Sequence, residues 1–141
     1  MFCCFSDKIA LATFEDAEQF VLPITKVKVV KVYDGDTVTV AFHLNRVLYK
    51  TQIRLSGIDA PEIKGKSETE KAKARLARDA LSAKIFNQVV ELKNTRNESK
   101  WGRLLAEIWF ENKNISDWMI EEGHCVPYQG EKKTFDWGNT A

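Results

Sequence analysis

The sequence predicts an α+β domain: a small five-stranded Greek-key β-barrel with helices flanking it. Three observations carry that expectation. Apolar and polar residues alternate with a period of two in stretches separated by very short turns. A capped amphipathic helix follows the third such stretch, and two more strand-like segments and a short helix come after it. At 141 residues the chain is long enough for one domain with a real core and too short for two.

Taken in order, residues 1–24 form an N-terminal extension of mixed pattern, with a short helix over Phe14–Phe20 capped by Thr13. The barrel domain is expected over 25–130. Valine-rich Lys26–Tyr33 is its first strand. Thr37–Leu44 is the second, with Val38, Val40, Phe42 and Leu44 inward and Thr37, Thr39, Ala41 and His43 outward. Between them Asp34-Gly35 suits a tight turn, because glycine takes positive φ freely. Asn45-Arg46 makes the next turn, and Val47–Leu55 completes a meander with Val47, Tyr49, Thr51, Ile53 and Leu55 inward. Ser56–Lys66 is a loop. Ser67 and Glu70 have capping-box spacing and open a helix to about Phe86, with Leu76, Ala77, Ala80, Leu81 and Ile85 as its buried stripe. Gln88–Lys93 is a short strand, Asn94–Lys100 an exposed polar loop, and Gly102–Phe110 the fifth strand. Asn114 caps a last helix carrying Ile115, Trp118 and Met119 on one face, and Gly123 stops it. Residues 131–141 are a polar tail, expected to be loose. Five strands, with a helix after the third and another after the fifth, suit an OB-fold.

Hydrophobic residues at 44% and charged residues at 29% are ordinary globular usage. The net charge of +1 is uninformative alone, but its distribution is not. From Ile63 to Arg103 eleven basic residues face five acidic ones, a lopsided field able to guide a polyanion. Three cysteines, two of them adjacent, give no disulfide framework, and two histidines with no CxxC spacing offer no zinc site. His43, on the polar side of a strand, reads as a surface histidine. The N-terminus lacks the pattern of a secretory signal, and no stretch reaches the length of a transmembrane segment, so an intracellular protein is expected. Lipidation at Cys3 or Cys4 rests only on their nearness to the terminus. Nothing in the sequence bears on oligomeric state.

Two clusters carry the chemistry: Asp34-Gly35-Asp36-Thr37 at a strand turn, and Arg54 to Glu62 (RLSGIDAPE) at the exit of the third strand. Together they bring four carboxylates and an arginine to the loop ends of adjacent strands, and such an oxygen-rich site suits a hard divalent cation. Tyr33–Val38 (YDGDTV), Arg54–Glu62 and Trp101–Leu105 (WGRLL), in this order and spacing, resemble the signatures of the staphylococcal nuclease, or thermonuclease, family, over about Thr25 to Gly130.

That resemblance implies an OB barrel, Ca2+ as cofactor, and hydrolytic cutting of a nucleic acid, DNA or RNA. By the same resemblance, Asp36 and Asp59 are metal ligands and Ala60 offers its backbone carbonyl. Glu62 handles the attacking water, Arg54 and Arg103 grip the scissile phosphate, and Asp34 and Thr37 support them. Trp101 and Tyr128 flank the nucleotide by that resemblance, and Lys100, in the exposed loop, is either a phosphate contact or a solvated lysine. The physics agrees, since hydrolysis loads negative charge onto phosphorus oxygens and fixed cations stabilise it. The rival reading is an OB-fold module that binds nucleic acid or protein without catalysis. The presence of Asp36, Asp59, Glu62, Arg54 and Arg103 together argues for the enzyme.

Overall fold

The computed structural model describes residues 8–21, 23–98, 103–130, 133 and 135–138. In chain order the elements are β1 (Lys26–Asp34), β2 (Thr37–Leu44), β3 (Val47–Leu55), β4 (Ile58–Asp59), α1 (Glu68–Ile85), β5 (Val89–Asn97), β6 (Leu104–Phe110), β7 (Lys113–Asn114), α2 (Ile115–Glu121) and β8 (Val126–Pro127).

Valine alternation makes β1 and β2 pair antiparallel, and β2 pairs with β3 in continuous register from Thr37↔Arg54 to Leu44↔Val47. Asn45 and Arg46 both take positive φ, 50° and 65°, as a two-residue hairpin turn requires. The sheet runs β3-β2-β1-β5-β6-β7, and β3 pairs with β6 to close it. That last pairing is parallel, from Ile53↔Leu104 to Leu55↔Ala106, so the five long strands form a closed mixed barrel with an OB-type helix arrangement outside. Its interior holds Val29, Val38, Val40, Ile53, Leu55, Ala106 and Ile108, none of them exposed. Burying side chains of this size contributes about 1.5–3 kcal/mol each relative to exposure. Among the described residues no helix is long and apolar enough to cross a membrane.

Ser67 caps α1 as its spacing predicts, accepting a hydrogen bond from the Glu70 amide at 3.0 Å. The buried stripe, however, is Ala74, Ala77, Leu81 and Ile85, and Leu76 is 62% exposed. A period of 3.6 puts those four residues on one face and Leu76 on the opposite side. A Cβ added at Gly35 would lie 2.8 Å from the Ala77 Cβ and 2.9 Å from the Ala60 Cβ, so only small side chains fit where α1 meets the β1–β2 turn. This also corrects the expected reason for Gly35. It is absent from the positive-φ glycines; the turn needs it for close approach.

Four other expectations change. Phe14 and Phe20 are 93% and 67% exposed and no helix spans them; Thr13 closes a single turn instead, accepting from the Asp16 amide. A short helix with no face to bury lacks the packing that sustains it. Val47 and Tyr49 are exposed because the first half of β3 runs past the barrel, and its buried part begins at Ile53. The polar stretch from Asn94 is not all loop: β5 continues to Asn97, across an irregularity at which Asn94 takes φ 53°, because Arg96 and Asn97 pair with Leu105 and Leu104. The tail is not loose where it is described, since Trp137 is buried and Lys73 donates to its carbonyl. α2 follows expectation, with Asn114 accepting from the Ser116 amide and Gly123 at φ 78° after its end.

Candidate active site

The β1–β2 turn, the exit of β3 and the start of β6 meet at one end of the barrel. Asp34 pairs with Thr37 across the turn, and Thr37 pairs with Arg54 on β3, so Asp36 projects beside the arginine. The Asp36 amide donates to Asp34 Oδ1 at 3.1 Å, and the Thr37 hydroxyl donates to Asp36 Oδ1 at 3.1 Å. The chain after β3 is held by the Leu55 amide on the Asp36 carbonyl (2.8 Å) and the Ser56 amide on the Ala106 carbonyl (2.9 Å). Ser116 Oγ on α2 donates to the Ser56 carbonyl at 2.8 Å. Those bonds fix the point at which the second carboxylate cluster leaves the barrel.

Asp36 and Asp59 converge. Arg54 lies 3.4 Å from Asp36 Oδ2 and 3.7 Å from Asp59 Oδ1 through the same guanidinium nitrogen. The Ala60 amide donates to Asp36 Oδ2 at 3.0 Å, which draws the second cluster onto the first turn. Arg54, Asp36 and Asp59 are all less than a tenth exposed. The other Arg54 nitrogen donates to the carbonyls of Leu55 and Ile58, so this side chain also braces the loop. Arg103, half-buried, approaches from β6: it reaches Thr37 Oγ1 at 3.4 Å and is held by Glu98 at 2.8 Å.

Between these groups is a cavity of about 520 Å³ whose walls include Arg54, Glu62, Arg103 and Tyr128. A two-residue bridge brings Tyr128 there. β4 pairs with β8 (Ile58↔Pro127, Asp59↔Val126), and the Tyr128 amide donates to the Gly57 carbonyl. The Arg54 guanidinium then sits 5.7 Å from the Tyr128 ring centre. Glu62 stands on the rim with its side chain 61% exposed, its backbone fixed by an amide hydrogen bond to Glu70 on α1. Trp101 and Lys100 lie outside the described residues.

Three participants were not singled out in the sequence as site residues. Lys133 lies 2.7 Å from Asp59 and 3.6 Å from Glu62. Glu98 orients Arg103, and Glu70 anchors the Glu62 loop. Lys133 and Glu98 carry no spacing signal, and the spacing that marked Glu70 marked it as the capping partner of Ser67, not as the anchor of the Glu62 loop.

The site's electrostatics show strain between like charges. Burial, then the charge of Asp36, pushes the Asp34 carboxyl up to about 7. Burial pulls the Lys133 ammonium down, but contact with Asp59 and the charge of Asp36 outweigh it and hold it above the usual lysine value. Burial, then the charges of Asp36, Asp59 and Asp34, raises the Cys125 thiol far above its ordinary range, so it is an inert packing group.

Asp59 Oδ1 is buried, and among the described residues the only groups that meet it are the cationic ends of Lys133 and Arg54. A lysine ammonium thus fills a position that attracts positive charge. Among the described residues no cluster of three or more His, Cys, Asp or Glu is assembled to hold a metal. What the described residues do bring together is two carboxylates, Asp36 and Asp59, on one guanidinium nitrogen of Arg54.

Residues 52–137 match the family model described as staphylococcal nuclease homologue. An uncharacterized endonuclease of Haemophilus influenzae is 30% identical over 102 residues, 72% of this chain and 52% of that protein. A thermonuclease of Staphylococcus hyicus is 28% identical over 97 residues, 68% of this chain and 55% of that protein. The chain spans about half the length of these curated relatives. The matched segment runs from the end of β3 to the buried Trp137, through Arg54, Asp59, Glu62, Arg103 and Tyr128. The barrel, the paired aspartates and this match together place the chain in the staphylococcal nuclease family.

Proposed function

We propose that this chain is a calcium-dependent nuclease that hydrolyses phosphodiester bonds of DNA or RNA. The observation that carries the reading is the convergence of Asp36 and Asp59 on one guanidinium nitrogen of Arg54, at 3.4 and 3.7 Å. Two carboxylates and an arginine so placed suit an ion and a phosphate bound side by side.

Asp36, Asp59 and the Ala60 carbonyl would hold the Ca2+, which would supply positive charge to the phosphate oxygens. Arg54 and Arg103 approach the same phosphate from β3 and β6, each as a planar fork matched to its oxygens. Glu98 keeps Arg103 extended toward Thr37, and Asp34 fixes the Asp36 backbone. Glu62, the exposed carboxylate on the rim, takes a proton from water as the water oxygen bonds to phosphorus. The bond from phosphorus to the leaving sugar oxygen then breaks, and that oxygen gains a proton. Tyr128 offers a ring face beside the cleft, and Trp101 and Lys100 are assigned to nucleotide contact from the sequence alone.

Glu62→Gln is the clean test, because this side chain is exposed and carries no fold. General-base help is worth about 10²–10⁴ in rate. The variant should cut plasmid more slowly by that factor with an unchanged melting curve, and chelator should stop the wild-type protein. Unchanged cutting by the variant, or full activity in excess chelator, refutes the reading. Arg54→Ala is a poorer probe: its guanidinium is buried against two carboxylates, and removing one partner of such a cluster costs about 3–5 kcal/mol. Loss of cutting in Arg54→Ala therefore would not separate catalysis from folding.

A further inference from the structure

We propose that the outer face of β1, β2 and β3 is a second binding track, along which a single-stranded polynucleotide leaves the cleft with its phosphates against Lys31 and Lys50. The identity of the ligand rests on the nuclease reading; the track itself rests on register and charge.

Directly opposed residues in an antiparallel ladder share a face, and so do residues two apart along a strand. Thr37↔Arg54 is the row at the cleft. The next row on that face is Lys31–Thr39–Gln52, and the one after it is Lys28–Ala41–Lys50. One surface therefore leads from Arg54 to Lys50, four residues or about 13 Å along β3. It contains a groove of about 610 Å³ lined by Val30, Lys31, Thr39, Lys50, Thr51 and Gln52. Val30 has no partner in the β1–β2 register, falling between the Val29 and Lys31 pairings, and it is 37% exposed. It gives the groove an apolar pad between polar walls.

Charge selects the occupant. From Lys26 to Leu55 the only acidic residues are Asp34 and Asp36, both in the cleft turn, whereas Lys26, Lys28, Lys31, Arg46, Lys50 and Arg54 are basic. Among the described residues no carboxylate pairs with Lys28, Lys31 or Lys50, although Lys71, Lys93 and Lys113 elsewhere all have one. Lysines left unpaired on one face, continuous with a phosphate-gripping site, fit a polyanion. Three strands span only about 10 Å, the width of one backbone, so the fit is to a single strand.

The test is fluorescence anisotropy of labelled dT12 and dT3 with chelator present, so that binding is read without cutting. In Lys31→Gln/Lys50→Gln, dT12 affinity should fall about tenfold at low salt and its salt slope by about 1.4, two lost contacts on a single strand. Binding of dT3, which fills only the cleft, should change less than twofold. As a control, Lys71→Gln/Lys113→Gln removes the same charge from α1 and β7 and should leave dT12 binding nearly unchanged. Equal dT12 affinity in wild type and the groove variant overturns the track, as does an equal loss in both variants. Absence of cutting by wild-type protein in calcium refutes the nuclease reading but does not alter this comparison.

Discussion

Gly35 ties packing to chemistry most directly, and Gly35→Ala measures that tie. The added methyl carbon would sit 2.8 Å from the Ala77 Cβ, 2.9 Å from the Ala60 Cβ and 3.6 Å from Met119 Cε. Carbon atoms in contact prefer about 3.5–4.0 Å, so the first two distances are short by roughly 1 Å. Neither neighbour is a flexible side-chain end: Ala77 is fixed to α1, and Ala60 to the loop that carries Asp59. Overpacking of this kind costs about 1–3 kcal/mol. For a domain of this size that is a fall of several degrees in Tm by calorimetry. Separating the β1–β2 turn from residue 60 also separates Asp36 from Asp59, and a misplacement of about 1 Å can cost on the order of 10² in rate. Ala77→Gly should partly restore Gly35→Ala, despite costing about 1 kcal/mol by itself from helix propensity. A Gly35→Ala protein that melts and cuts like wild type would refute the reasoning. So would strict additivity of the two substitutions in a double-mutant cycle.

Three further outcomes follow from the same geometry. Lys133→Ala should bind calcium more tightly than wild type by isothermal titration, because the ammonium 2.7 Å from Asp59 competes for that carboxylate; equal or weaker affinity counts against the proposed ion site. Leu81→Ala should lower stability to urea by about 2–5 kcal/mol and Leu76→Ala by less than about 0.5 kcal/mol, and the reverse order would contradict the stripe seen on α1. Burial and the charge of Asp36 push the Asp34 carboxyl from 3.8 up to about 7, so the stability it contributes is whole below about pH 4 and is lost as pH rises to about 7. In chelator, the stability of Asp34→Asn relative to wild type should therefore grow between about pH 4 and 7; a difference that stays flat shows that Asp34 ionises freely.

Much of the barrel was legible because its signals are local. Alternating valines set the faces of β1 and β2, Asn45-Arg46 made a turn that both residues can adopt, and Ser67 and Asn114 capped the two helices. The candidate site was legible for a related reason: its carboxylates and Arg54 lie in two short motifs, one at a turn and one at a strand exit. Misreadings arose wherever a distant neighbour decided the outcome. Leu76 lies across α1 from Ala74, Ala77, Leu81 and Ile85, and it is their face that the tertiary packing turned to the barrel. Val47 and Tyr49 had the right alternation but lie where β3 has run past the barrel. Thr13 had a capping side chain but no helix packed behind it to sustain more than one turn.

By itself, then, the sequence determined the five long strands of the barrel to within a few residues, the two capped helices, and which acidic and basic residues stand at their ends. Those properties depend on residues within a few positions of one another. Only the tertiary structure decided that β3 closes onto β6 in parallel, that Tyr128 enters the cleft through the β4–β8 bridge, and that Lys133 lies against Asp59. These contacts join residues far apart in the chain, and their geometry is set by the packing of the closed barrel, which no local pattern encodes.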